Sequence, residues 1–271
     1  QDDFGELSPL LLFVILLFFI TSCTTTNQLN NSLSSLEIKT GNKSTGTGFL
    51  FSLSDYVITS YHVVHGSKSI SIRLTNGEKI DATITVQDTH NDIAILKLSQ
   101  PPTSRQNIIT LGDSNSVKTG DRVFTYGFPL VGLLGNGEPR YSEGFVSSLS
   151  GISNDPRLFQ VSIPIQPGNS GGPVFNEKGE LIGIATSSID ADKTKKVFGS
   201  SPQNVNFAIK SSYVNSLLTN LPDTFIKHKG IVPVPIEKSS FKERVKNDIV
   251  LVEVVPQNQR KVEQPLAKNN S

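Results

Sequence analysis

Short runs of β-branched and apolar residues, broken every few positions by Gly, Asn, Asp or Pro, govern what this 271-residue chain can fold into. Ile70, Ile72 and Leu74 alternate with polar residues, Asn76-Gly77 follows, and Ile80, Ala82, Ile84 and Val86 alternate again. A period of two puts the apolar side chains on one face of a strand. Asn-Gly tolerates the positive φ angles of a tight reversal, so the stretch reads as a hairpin with a two-residue turn. Further runs read as strands at 48–51, 56–59, 93–98, 122–126, 144–149, 158–163, 173–175, 181–186 and 206–209. Helical spacing occurs only at Ser211–Thr219, where Ser opens the segment and Val214, Leu217 and Leu218 share a face. Many short strands with little helix predict an all-β barrel or sandwich. Residues 223–271 are rich in Pro and charge and hold one apolar run, Ile249–Val255. They read as a C-terminal extension, not a second domain.

The N-terminal region has a different character. Leu10–Ile20 is an unbroken apolar stretch, too short for the roughly 20 residues of a membrane span and suited to the core of an export signal. It runs into Ile20-Thr21-Ser22-Cys23, which resembles the bacterial lipoprotein cleavage box, although Gln1–Ser8 carries Asp2, Asp3 and Glu6 and no basic residue. That resemblance implies a signal peptide over 1–22, a lipid anchor on Cys23, and attachment to a membrane of the bacterial cell envelope, facing the periplasm or the exterior. The Ser/Thr/Asn-rich stretch 23–36 lacks the apolar residues to pack a core and reads as a tether. The body of the protein is then 37–222.

Composition excludes several classes of function. With 25 basic and 24 acidic residues the net charge is +1, so no polyanion is implied and nucleic acid is not an expected partner. A single cysteine rules out an internal disulfide framework and a cysteine-rich zinc site. Neither a metal nor any other cofactor is expected.

The chemistry concentrates in Pro167-Gly168-Asn169-Ser170-Gly171-Gly172-Pro173, a serine held among glycines between two strand-like runs. A nucleophilic hydroxyl needs a tight loop of this kind, and the N–H groups of Gly168 and Ser170 can converge there as an oxyanion hole. The hydroxyl is inert without a base, so a histidine with an orienting carboxylate must stand elsewhere in the chain. Of the four histidines, His62 ends the apolar run 56–64, His65 follows in a turn, His90 lies two residues before Asp92, and His228 lies in the tail. Asp92 directly precedes the apolar run Ile93–Leu96. There a carboxylate either caps a strand edge or holds an imidazolium.

Four blocks together resemble the trypsin-like serine peptidases: Ser-Thr-Gly-Thr-Gly-Phe-Leu (44–50), Val-Ile-Thr-Ser-Tyr-His-Val-Val (57–64), His-Asn-Asp-Ile-Ala-Ile-Leu-Lys-Leu (90–98) and Pro-Gly-Asn-Ser-Gly-Gly-Pro-Val (167–174). Their order, His, Asp, Ser, is that of the chymotrypsin fold. Within it the sequence is most similar to the bacterial HtrA/Deg periplasmic proteases. The segments 111–114, 120–123, 142–146 and 206–209 match the landmarks of their second barrel.

The resemblance implies two antiparallel β-barrels, about 38–115 and 119–210, followed by a short helix and the extension. It also implies a serine endopeptidase acting on unfolded or exposed polypeptide. Ser170 would be the nucleophile, His62 the base, Asp92 the group that orients it, and Gly168 and Ser170 the oxyanion donors. Thr186 would support the carboxylate. Pro164 and Ile165 stand where trypsins place the acid that binds basic side chains, so an apolar specificity pocket is expected. Asn169 replaces the aspartate that pairs with a freed N-terminus in digestive trypsins. The 47 residues of 225–271 are too few for the PDZ domain usual in HtrA/Deg proteins, and no oligomeric state is implied. The competing expectation is a catalytically silent lipoprotein that keeps the fold as a binding module.

Overall fold

In the computed structural model, residues 44–51, 55–104, 109–186, 205–219 and 238–257 are described. The leader, the lipobox with Cys23, the tether and His228 lie outside them. The β-rich reading holds. Strands β1 (Ser44–Leu50), β2 (Tyr56–Ser60), β3 (Ser67–Arg73), β4 (Lys79–Asp88) and β5 (Ile93–Leu98) belong to the first barrel. The short β6 (Thr110–Leu111) leads to β7 (Arg122–Gly127), β8 (Arg140–Ser148), β9 (Leu158–Val161), β10 (Pro173–Asn176), β11 (Glu180–Thr186) and β12 (Asn206–Lys210). These close a second barrel in the order β10-β7-β8-β9-β12-β11, with β11 pairing back to β10 and β6 lying parallel against β11. Helix α1 (Tyr61–Val64) is one turn after β2, α2 (Val131–Leu134) follows β7, and α3 (Ser211–Leu218) buries Val214, Leu217 and Leu218 as its spacing predicts.

The hairpin forms with a longer reversal than expected. Ile72 faces Ile80 and Ile70 faces Ala82, while Leu74 N–H bonds the Glu78 carbonyl and Gly77 N–H bonds the Leu74 carbonyl. The connection is therefore Thr75-Asn76-Gly77, three residues with Gly77 at φ +88°, a turn closed by a bulge at the glycine. Further along, the β4–β5 register shifts between Ile84 and Val86. Ile84 is pushed outward there, although the alternation had assigned it to the buried face.

The larger departure concerns the C-terminal extension. Helix α4 (Lys238–Val245) and strand β13 (Ile249–Pro256) are part of the double barrel, not an appendage to it. The first barrel closes as β1-β13-β3-β4-β5-β2, so residues 38–115 alone leave it one strand short. Six residues of β13, from Ile249 to Val254, pair antiparallel with β1, and its other edge pairs with β3. Ile249, Val250, Leu251 and Val252 are fully buried. Val250 and Val252 point into the barrel with Leu50, Ile72 and Leu96, while Ile249 and Leu251 point outward into a cluster shared with Phe49, Ile58, Phe124 and Phe175. Helix α4 ties the tail to the second barrel. The Phe241 ring lies edge-on to Phe175 at 5.5 Å, and Tyr126 OH donates to the Lys242 carbonyl at 2.9 Å. At the rim, Arg73 and Lys79 bond Glu253 at 3.2 and 3.0 Å, joining β13 to β3 and β4 by charge.

Candidate active site

His62 sits in α1, not at the end of a strand, because the chain turns sharply after Ser60. Two backbone N–H groups fasten that turn to the residue before β5: Tyr61 N–H donates to the Asp92 carbonyl at 3.1 Å, and His62 N–H donates to the Asp92 side chain, at Oδ1, at 2.8 Å. The second carboxylate oxygen, Oδ2, lies 2.7 Å from His62 Nδ1. With Asp92 ionised, that contact puts the imidazole proton on Nδ1 and leaves the Nε2 lone pair free to take another. Thr186 Oγ1 donates to the same Oδ2 at 3.4 Å, from the end of β11 in the second barrel.

Asp92 adopts φ +54°, an uncommon conformation for a residue with a side chain. The preceding residues hold it. Asp88 Oδ1 accepts the N–H groups of His90 and Asn91 at 3.0 and 2.9 Å, and Oδ2 accepts Asn91 Nδ2 at 2.6 Å. Burial opposes ionisation of Asp88, but these donors outweigh it and hold its carboxyl below the ordinary aspartate range.

The serine loop is built from the other barrel. Ser170 is 4% exposed, and its carbonyl accepts Thr47 N–H from β1 at 2.9 Å. Gly171 N–H donates to the Ala185 carbonyl and Gly172 N–H to the Asn169 carbonyl. Gly168 has φ +100°, and a Cβ there would stand 2.3 Å from the Phe128 carbonyl oxygen. Only glycine fits the position. Ser170 therefore lies at a junction to which both barrels contribute.

Beside His62 and Asp92 a cleft of about 400 Å³ is lined by His90, Asn91, Arg157, Leu158, Thr186 and Ile209. Arg157 was not singled out from the sequence. It donates to the His90 carbonyl and forks onto Asp155, with Nη2 to Oδ2 at 2.6 Å, so it spans the two barrels at the rim. Its hydrogen bonds to Asp155 hold that carboxyl below its ordinary range and raise the guanidinium. Pro164 and Ile165 do not line this cleft: Pro164 is exposed, and Ile165 packs in the core of the second barrel with Val117 and Val123. His65 pairs with Tyr61, its Nδ1 2.6 Å from the Tyr61 hydroxyl.

Comparison with known proteins agrees with the fold. The family model of the trypsin-like peptidase domain matches residues 46–184, about half of the chain. The chain is 35% identical over 175 residues to the uncharacterized protein y4bJ of Sinorhizobium fredii, covering 65% of this chain and 27% of that protein. It is 31% identical over 190 residues to the serine protease Do-like HtrA of Lactococcus lactis, covering 66% and 45%. A probable periplasmic serine endoprotease, DegP-like, of Halomonas elongata is 37% identical over 149 residues, covering 52% and 29%. Among solved structures, the HtrA-type protease AlgW with decapeptide superposes with TM-score 0.52 at 25% identity, over 68% of this chain and 52% of that one. The chain thus spans less than half the length of these curated relatives. With the double barrel and the family match in agreement, the chain belongs to the trypsin-like peptidases, and within them it is similar to proteases of the HtrA type.

Proposed function

We propose that this protein is a serine endopeptidase that cleaves unfolded or exposed polypeptide in the bacterial cell envelope. The observation that carries the reading is the two-point grip of Asp92 on His62, through the backbone N–H and Nδ1 together, in a cleft that also contains Thr186. A strand-edge cap needs neither contact. His62 Nε2 removes the Ser170 hydroxyl proton as Oγ attacks the scissile carbonyl, and the Gly168 and Ser170 N–H groups receive the negative oxygen. The protonated imidazole gives its proton to the leaving amine as the C–N bond breaks. Water, deprotonated by the same nitrogen, then releases the acyl group from Ser170. Asp92 keeps the tautomer and stabilises the imidazolium; Thr186 fixes the carboxylate.

The substrate class rests on the family and on the peptide in the AlgW structure. The preference for small or medium aliphatic residues rests on the sequence resemblance alone, which finds no acid at positions 164 and 165, since an unpaired buried Lys or Arg is costly. The envelope location rests on the lipobox-like segment ending at Cys23 and on the DegP-like relatives named as periplasmic. Cys23→Ser should move the protein from the membrane to the soluble envelope fraction; unchanged fractionation would remove the anchor.

The test of the activity is digestion of unfolded casein, with fluorophosphonate labelling in parallel. Wild type should do both, and Ser170→Ala should lose turnover by a factor on the order of 10⁶ while remaining folded. Hydrolysis surviving in Ser170→Ala would place the chemistry elsewhere. A map dominated by cuts after Lys or Arg would refute the aliphatic preference. A folded wild type that neither cleaves nor labels would leave a binding module.

A further inference from the structure

The peptide planes around Gly168 decide whether its N–H faces the reacting oxygen, and each plane is held at its carbonyl end. In a trans peptide the C=O and N–H point in opposite directions, so anchoring one aims the other. The Pro167 carbonyl, which shares its plane with Gly168 N–H, accepts Leu130 N–H at 2.8 Å. The Gly168 carbonyl, on the next plane, accepts the hydroxyl of Thr47 at 2.6 Å. That hydroxyl in turn accepts Phe128 N–H at 2.9 Å, so both of its hydrogen-bonding roles are used. The backbone N–H of Thr47 binds the Ser170 carbonyl. One fully buried residue of the first barrel therefore grips the loop of the second on both sides of Asn169. Asn169 is 3% exposed, and its Oδ1 has no hydrogen-bond partner among the described residues, so this oxygen offers no equivalent hold.

We propose that Thr47 is a positioning residue of the oxyanion site, its hydroxyl locking the Gly168–Asn169 peptide, the plane that lies between the two carrying the Gly168 and Ser170 N–H groups, so that those two groups converge. The inference deepens the peptidase reading and rests on it. Thr47 acts only through the loop, so its loss is felt where charge develops on the carbonyl oxygen and not where the peptide first binds.

The test compares Thr47→Val, which keeps the shape and removes the hydroxyl, with Thr47→Ser, which keeps the hydroxyl. Both are measured per folded active site on one peptide substrate. Removing a direct oxyanion donor costs about 10²–10³ in kcat; Thr47→Val, one step removed, should lose roughly 10- to 100-fold in kcat with KM within about threefold of wild type. Affinity for a peptide aldehyde, whose adduct carries an oxygen at the oxyanion position, should fall in parallel, and Thr47→Ser should recover most of the rate. A merely structural loss would lower the active fraction without separating kcat from KM. The proposal is overturned if folded Thr47→Val turns over within about twofold of wild type, or if Thr47→Ser is as slow as Thr47→Val. Should Thr47→Val not fold, Thr47→Cys replaces it: a thiol is a weak donor, so its kcat should fall well below that of Thr47→Ser, and equality overturns the proposal. A wild type with neither hydrolysis nor fluorophosphonate labelling fails at the earlier step and removes the peptidase reading itself.

Discussion

Leu251→Ala tests whether the C-terminal strand is part of the protease body. Leu251 is fully buried, sits opposite Thr47 across the β1–β13 ladder, and packs in the cluster that joins the two barrels. Truncating such a leucine removes its transfer free energy and leaves a cavity, for about 2–5 kcal/mol. Total stabilities run at about 5–15 kcal/mol, so the loss is a large fraction of the whole. For a folded body of this size each kcal/mol shifts Tm by roughly 2–4 °C, so the melting point should drop by roughly 4–20 °C. Equilibrium denaturation in urea should show the midpoint falling at constant slope, as expected when stability changes and compactness does not. Val255→Ala on the same strand is the control, since Val255 is 38% exposed and should cost under about 1 kcal/mol. If Leu251→Ala stays within about 0.5 kcal/mol of wild type, as surface substitutions do, the tail is not a barrel strand in solution and the closure by β13 is refuted.

Two further outcomes follow from the charges. Burial opposes ionisation of Glu253, but Lys79 and Arg73 outweigh it and hold its carboxyl below the ordinary range. A lowered folded-state pKa means stability that is present above the unfolded value of about 4.3 and lost as pH falls through the folded one. The stability gap between wild type and Glu253→Gln should therefore be widest near neutrality and narrow below about pH 4; a gap that does not change with pH refutes the ion-pair account. The second outcome concerns Asn169, which is neutral where digestive trypsins need a charge for a freed N-terminus, so a chain starting near Ser35 behind an arbitrary tag should be active as made. Tagged and tag-cleaved enzyme are compared on one peptide, and activity that appears only after a specific N-terminal cut refutes this.

Local patterns were enough to identify the strands. The run Ile93–Leu98 became a strand with the bounds its composition suggests, and Val214, Leu217 and Leu218 went to the buried face of α3, because period and burial are properties of neighbouring residues. The motif blocks also carried enough chemistry to single out His62, Asp92 and Ser170 before any geometry was known. Partners far apart in the chain were another matter. The apolar run Ile249–Val255 reads the same whether it lies in a linker or a barrel, since periodicity says that a strand is buried and not what it pairs with. Only the assembled fold placed it between β1 and β3, with the first and last described strands of the chain side by side. The bond from Thr47 to Gly168 spans 121 positions, and Arg157 meets the His90 carbonyl across 67. Such contacts arise when two barrels, each closed by its own alternation, bring their loops together. Tertiary packing decided them, because a hydroxyl on a strand can satisfy itself in many ways and the strand's own sequence does not choose among them.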